Sequence, residues 1–300
     1  MNVTLKSLLP PLDFGWNHTR ARCSVSTCHN KLLTRAVPQS RVGMRMGANW
    51  YCSVDCFVAA VQVPLTSLSA ARIVEMPHNP RLSLGLAMLS KGYLTKDQLR
   101  FATERVRTGE SLETALVRLD MASAKQLAAA RAAQWGYPVL GHDGGGLLVQ
   151  ADLPKAFLTE FLAAPLHYAP AARKLLLGFV HQVDHSLLQA IEQITGCRAE
   201  PCFMTPAEFE DQMERVTAVP DYGELAIEEP GTPAQMARTL GGIGVEISVR
   251  EARLVRCKSW LWSRLTGKRR TVDILFALGN AESLNSRESF LRQDTVGTLA

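Results

Sequence analysis

The sequence lacks a secretory or membrane-spanning segment at its start. The first sixteen residues contain one lysine, and Pro10 and Pro11 interrupt their apolar stretch, so neither a signal-peptide core nor a membrane span fits. This absence predicts a cytoplasmic protein. In a reducing compartment, the seven cysteines argue against a disulfide framework and for metal binding or ordinary burial.

Motifs for common enzyme chemistry are also missing. The chain contains no G-x-x-x-x-G-K-[ST] loop for nucleotide phosphates, no G-x-S-x-G or H-E-x-x-H motif and no H-x-E…C-x-x-C deaminase array. Its glycine-rich stretch 144–146 is not followed by a lysine, and Gly267-Lys268 lies in a predicted hairpin turn. We therefore expect a protein that is not an enzyme.

The composition is that of a globular chain. Its 300 residues are 47% hydrophobic and 20% charged, which is enough apolar material for two or three small cores. The net charge of +5 is modest, but the region 250–270 is rich in cations: Arg250, Arg253, Arg256, Lys258, Arg264, Lys268, Arg269 and Arg270. Such a stretch is compatible with a phosphate-rich partner without requiring one.

Four cysteines lie near the N-terminus in a C-x4-C…C-x3-C array formed by Cys23, Cys28, Cys52 and Cys56. Zinc takes four thiolates in a tetrahedron, and two short pairs brought together by a hairpin supply them. Residues 41–52 have turn glycines and predict the hairpin, and a helix capped by Ser53 or Asp55 should begin at the second pair. We expect structural zinc with His18 and His29 as possible substitute ligands. The alternative is four buried thiols.

An internal repeat follows, because residues 83–106 and 111–134 superimpose at an offset of 28. The copies agree at Ser83/Ser111, Leu84/Leu112, Ala87/Ala115, Gln98/Gln126, Leu99/Leu127 and Ala102/Ala130. Each predicts a short helix, a turn at Gly92 or Asp120, and a longer helix opened by a capping box. Since one helix pair cannot bury its own apolar face, the two copies should form one four-helix bundle.

This repeat, followed by the run from Gln134 to Pro138, resembles the N-terminal domain of type II secretion and type IV pilus assembly ATPases. The resemblance extends through residue 216, where helix, strand, strand, helix, strand and helix are expected in that order. It covers residues 83–216 and implies an α+β fold. It also implies a domain that contacts other proteins, here predicted as a stand-alone chain without the ATPase domain.

In some members of that family the domain binds cyclic di-GMP through two copies of a motif that begins Arg-Leu-Gly, contains a turn glycine and ends in glutamine. Ser83 and Ser111 replace the two arginines of the motif, and two of its glycines become Glu113 and Asp120. The terminal glutamine is Val106 in one copy and Gln134 in the other. A phosphate diester needs positive charge, so these changes should weaken binding. The residues that would still serve it are Arg81, Gly85, Gly92 and Gln134.

The C-terminal portion predicts a linker, a helix and a hairpin. Residues 217–231 are rich in proline, glycine and acids, and a capping box opens a helix at Thr232. The following strands, with a turn at 266–270, carry Trp260 and Trp262, which we expect to close a core rather than to stack on nucleic acid.

The predicted fold is α+β, with a small zinc knuckle, a repeated helical bundle with an α/β companion subdomain, and a helix plus β-hairpin. The predicted boundaries are 17–65, 80–140, 150–216, a linker 217–231, a tail 232–279 and a disordered end 280–300. The expected function is that of a bacterial adaptor or regulator whose protein partner belongs to a secretion or pilus machine. The alternatives are a degenerate cyclic di-GMP receptor and a zinc-containing nucleic-acid-binding protein.

Overall fold

The structure, a computed structural model, describes residues 23–28, 43–71, 82–140, 152–217, 223–268 and 270–278. Its helices are α1 Val54–Ala70, α2 Leu84–Ser90, α3 Lys96–Glu104, α4 Leu112–Arg118, α5 Ala124–Trp135, α6 Lys155–Glu160, α7 His185–Thr195, α8 Pro206–Thr217 and α9 Pro233–Glu246. Its strands are β1 Met44–Met46, β2 Asn49–Tyr51, β3 Ala163–Ala169, β4 Lys174–Phe179, β5 Arg198–Phe203, β6 Gly223–Ile227, β7 Glu251–Cys257, β8 Trp260–Thr266 and β9 Thr271–Ala277. This mixture of helices and strands confirms the predicted α+β class.

Helices α2 to α5 form what we call the helical unit. In each repeat copy a seven-residue helix leads through a left-handed turn into a longer helix, with φ of 69° at Gly92 and 52° at Asp120. The capping boxes predicted at Thr95 and Ser123 are both complete. Small and aliphatic side chains from all four helices share one core, which explains why neither copy needs to bury its apolar face alone.

The companion subdomain contains α6, β3, β4, α7, β5 and α8, in the order that the resemblance implies. Its three strands are arranged β3-β4-β5, with an antiparallel pair followed by a parallel one. Helix α7 ends at Gly196, whose φ of 72° is the left-handed conformation of a helix C-cap. A reciprocal pair of hydrogen bonds between Thr205 and Glu208 caps α8.

A six-stranded sheet joins the two ends of the described chain. Its order is β2-β1-β7-β8-β9-β6, and β1 pairs in parallel with β7 through Arg45 and Glu251. Helices α1 and α9 pack together on one face of this sheet, and the companion subdomain packs on the other. We call the sheet, α1, α9 and the segment 23–28 the composite unit.

Alternation along β8 shows how the sheet serves two cores. Leu261 and Leu265 are fully buried against α1 and α9, whereas Trp262 between them is fully buried against the companion subdomain. Successive side chains of a strand point to opposite faces, so a sheet buried on both faces is apolar throughout. The expectation that the tryptophans close a core agrees with this arrangement: Trp262 is inside, and the half-buried Trp260 packs at its edge.

The C-terminal part differs from the predicted linker, helix and hairpin. The predicted linker 217–231 contains β6, which pairs in parallel with β9, and the hairpin is extended by β7 into a three-stranded meander. Strand β6 was missed because it is a short edge strand with three glutamates in or after it and two exposed side chains. The β7–β8 turn was missed because Lys258, with φ of 50°, stands where glycine or asparagine is usual.

The cysteine region also differs from a separate module. The predicted module 17–65 contributes β1, β2 and α1 to the composite unit, so its core is shared with the C-terminal strands. Its residues 17–22 and 29–42, which include His18 and His29, lie outside the described residues, as does the end 280–300. In the ranges that the structure describes, no helix has the length and apolar character needed to cross a membrane.

Candidate metal centre

The structure brings the four predicted cysteines together. The sulfur atoms of Cys23, Cys28, Cys52 and Cys56 all lie within 4.8 Å of one another. The Cys28 and Cys52 sulfurs are 3.5 Å apart, and those of Cys52 and Cys56 are 3.8 Å apart. Thiolates at 2.3 Å from a tetrahedral zinc ion would be separated by ~3.8 Å, so the group has the dimensions of a tetrathiolate site.

Local structure places each pair. Cys28 follows a tight turn in which its own N–H donates to the carbonyl of Val25, and Ser24 bonds to the backbone of Trp50 in β2. Cys52 follows β2 directly, and Cys56 lies in the first turn of α1, where its N–H donates to the N-cap hydroxyl of Ser53. The hairpin and the helix start therefore bring both pairs to one point, as the sequence predicts.

The environment of the group shifts the pKa values of its thiols. Burial, followed by hydrogen bonds with the neighbouring thiols, raises the pKa of Cys52 to about 12. Burial also acts to raise the pKa of Cys23, but the N–H groups of Cys52 and Val25 outweigh it and lower that pKa overall. The pKa shifts of these two thiols therefore run in opposite directions, and Cys23 ionises more readily than Cys52. A divalent metal would allow all four sulfurs to ionise.

The donor set fits a closed metal site. Four sulfur ligands match the preferences of soft or borderline metals such as zinc, and they leave no coordination position for a water or a substrate. Cys28 is buried, and the other three thiols are partly exposed. The remaining cysteines, Cys197, Cys202 and Cys257, are buried free thiols in the cores. The four N-terminal cysteines can therefore hold a metal ion.

The residues of the cyclic di-GMP motif have structural roles. Ser83 and Ser111, at the arginine positions, are the N-caps of α2 and α4. Gly85 is buried, and a β-carbon there would lie 3.1 Å from the side chain of Leu99. Gly92 forms the left-handed turn, and Gln134 is half-buried at the end of α5. Arg81 lies outside the described residues.

Glu113, at the second motif glycine, forms an ion pair that the sequence reasoning missed. The guanidinium of Arg131 on α5 is buried and contacts the carboxylate of Glu113, the carbonyl oxygen of Val180 and the Nδ1 atom of His181. Burial lowers the pKa of Arg131 to about 10. Since Glu113 and Arg131 are eighteen positions apart and no motif links them, local sequence carries no sign of the pair.

Most of the described cations between 250 and 270 bond to the protein itself. Arg256 donates to three carbonyl oxygens at the C-terminus of α1, at 2.6 to 3.1 Å, and Arg253 donates to the carbonyl of Ile194 at the C-terminus of α7. Arg264 pairs with the buried Asp273, and Lys258 with Asp184. These side chains therefore link the strands of the sheet to neighbouring helices and strands. Arg269 lies outside the described residues.

Comparison with known proteins finds a relative for about half of the chain. No protein-family model matches it. The type IV pilus assembly ATPase PilB of Thermus thermophilus is 29% identical over 154 residues, which are 50% of this chain and 17% of PilB. The chain thus spans a small part of the length of that relative. This match confirms the predicted relationship to pilus assembly ATPases.

Two solved structures are each similar to somewhat less than half of the chain. The N-terminal domain of XpsE is 24% identical, with 44% of this chain and 92% of that chain covered and a TM-score of 0.35. MshE with cdg is 21% identical, with 45% and 99% covered and a TM-score of 0.38.

Proposed function

We propose that the protein is a non-enzymatic adaptor or regulator that binds a component of a secretion or pilus assembly machine. The observation that carries this proposal is the sequence match of half of the chain to PilB, a pilus assembly ATPase. The absence of a phosphate-binding loop in the sequence is compatible with a contact role rather than nucleotide hydrolysis.

The exposed apolar side chains of the helical unit supply a candidate contact surface. Leu86 on α2 is 52% exposed and Val117 on α4 is 54% exposed, and each lies on the first helix of a repeat copy. Contiguous apolar patches on a folded protein mark contacts with partners, and these two side chains are the positions at which we test for such a patch. Val63 on α1, 68% exposed, offers a comparable side chain on the composite unit.

The test is co-purification of the tagged full chain from its source cells after crosslinking. We expect a secretion or pilus assembly component to be enriched with the wild-type chain and with Val63→Ser. Its recovery should fall at least fivefold with Leu86→Ser/Val117→Ser, provided that the thermal transition of the variant is unchanged. Recovery of no assembly component with the wild-type chain would refute the proposal.

We further propose that the metal is zinc and that its role is structural. Support comes from the four sulfur donors and from their separations, which suit a tetrahedral ion of this size. All four ligands come from the protein, so the ion would hold the segment 23–28 against β2 and α1 rather than activate a substrate.

Elemental analysis of the purified full chain tests the zinc proposal. We expect one zinc per wild-type chain, less than a tenth of that in Cys52→Ser, and full content in Cys202→Ser, which alters a buried thiol outside the group. Equal zinc content in the two variants would show that the four cysteines do not hold the ion.

The two alternative functions have weaker support. For cyclic di-GMP, the arginine positions are N-cap serines and Glu113 is paired with Arg131, so the second copy of the motif presents a carboxylate where the family has glycine. For nucleic acid, five of the described cations between 250 and 270 bond to groups of the protein itself. Neither alternative gains a specific observation from the described residues.

A further inference from the structure

A cationic cleft lies directly beside the metal centre. It has a volume of about 650 Å³ and is lined by residues of β1, β2, the start of α1, the end of α9 and the β8–β9 turn. Cys52 is both a member of the cysteine group and part of the cleft wall. A cleft of this size can hold a ligand as large as a nucleotide.

Three cations converge on the cleft from separate parts of the chain, namely Arg45 in β1, Arg250 before β7 and Lys268 in the β8–β9 turn. All three are exposed. Among the described residues, the side chains of Arg250 and Lys268 bond to no other group, unlike their neighbours Arg253, Arg256 and Arg264. Their charge is thus available to a ligand.

The opposing charge in the cleft wall comes from one carboxylate, one helix end and the cysteine group. The carboxylate that lines it, Glu251, forms an ion pair at 2.8 Å with Arg253. The wall also contains the N-terminus of α1 and the C-terminus of α9, whose dipoles have opposite sign. A metal held by four thiolates would add two negative charges at the end of the cleft where Cys52 lies, and the charges of Arg250 and Lys268 match them.

The remaining wall includes one aromatic side chain. Trp50 lines the cleft, and its ring lies against Gly43, where any β-carbon would overlap the indole. Aromatic side chains beside cations bind nucleotides by stacking on the base while the cations pair with the phosphates.

We propose that this cleft binds a phosphate-bearing small molecule of nucleotide size, with Arg250 and Lys268 on the phosphates. The site is distinct from the repeat motif and does not depend on the adaptor function proposed above. Because Cys52 belongs both to the cleft wall and to the cysteine group, a ligand in the cleft would lie against the metal centre.

Calorimetric titration of the zinc-loaded full chain tests this, with ADP, inorganic pyrophosphate and adenosine as separate probes. We expect ADP and pyrophosphate to bind and adenosine to bind at least tenfold more weakly. The affinity for ADP should fall at least tenfold in Arg250→Ala/Lys268→Ala and should fall with rising salt. Lys96→Ala/Arg238→Ala, which removes the same charge from exposed sites outside the cleft, should bind as the wild type does.

Three results would overturn the proposal: no heat with either phosphate probe, equal loss in the two double variants, or adenosine binding as tight as that of ADP. If the cations serve only to balance the thiolates or the end of α9, the cleft variant will lose zinc or thermal stability while the wild-type chain binds neither phosphate probe. Zinc content and melting temperature are therefore measured on every variant.

Discussion

At the scale of single residues, Arg131 links the helical unit to the companion subdomain. Its guanidinium contacts Glu113 on α4, and across the boundary it contacts the carbonyl of Val180 and the ring of His181. The Arg131 side chain is 6% exposed and that of Glu113 is 23% exposed. A pKa of about 10 leaves the guanidinium charged at neutral pH, so the carboxylate is its compensating charge.

Removing the carboxylate should therefore cost more than an exposed ion pair is worth. We expect Glu113→Ala to lower the free energy of unfolding by about 2 kcal/mol, because a buried cation is left without its counter-charge. In an Arg131→Met background the same change should cost less than about 0.5 kcal/mol. Denaturant titration of the four chains gives the coupling energy, and a cost of Glu113→Ala that is the same in both backgrounds would contradict this account.

At the scale of elements, α1 and α9 approach closely through a glycine. A β-carbon at Gly241 of α9 would overlap the side chain of Val58 and crowd that of Val54 on α1. The next residue, Gly242, is exposed, and a β-carbon there would meet nothing within 4 Å. A substitution at Gly241 therefore tests the packing of the two helices, whereas the same substitution at Gly242 tests helix propensity alone.

Alanine at these two positions should have opposite effects. We expect Gly241→Ala to destabilise the protein by about 1–3 kcal/mol, because it overpacks the α1–α9 contact. Gly242→Ala should stabilise it by about 0.5–1 kcal/mol, because alanine favours an exposed helix position over glycine. Thermal unfolding of both variants provides the measurement, and two shifts of the same sign would show that the helices do not pack as described.

Local signals in the sequence predicted most helices, and non-local pairing explains what they missed. The capping boxes at Thr95, Ser123 and Thr232 depend on side chains three residues apart, so they can be recognised in the sequence. The cysteine group was predictable because the ligand spacing is itself a local pattern. The pairing of β1 with β7 joins residues about 200 positions apart, and no periodicity in either segment indicates its partner.

At the scale of the whole molecule, the described chain consists of the helical unit with its companion subdomain and of the composite unit. The composite unit is assembled from the segments that precede and follow the other two in the sequence. The composite unit contacts the companion subdomain through the sheet face that carries Trp262 and through Arg253 and Lys258, which bond to the two ends of α7. If the proposed function is correct, the helical unit binds the partner, and the composite unit supports the companion subdomain by packing against it.

The metal centre should determine whether the composite unit forms. The four cysteines lie in the segment 23–28 and at the start of α1. Strand β1 of the same region pairs with β7, and Arg256 of β7 donates a hydrogen bond to the end of α1. Structural zinc contributes about 10 kcal/mol to small modules of this kind. Loss of the ion should then affect C-terminal strands that are distant in sequence.

Hydrogen exchange of the full chain before and after complete removal of the metal by a chelator tests this claim most directly. The account predicts that amides of β1, β2, α1 and β7 lose protection together, while α2 to α5 keep theirs, and that readdition of zinc restores the pattern. Unchanged protection in β7 after the metal has been removed would show that the centre stabilises only its own loop, and the composite unit would not depend on it.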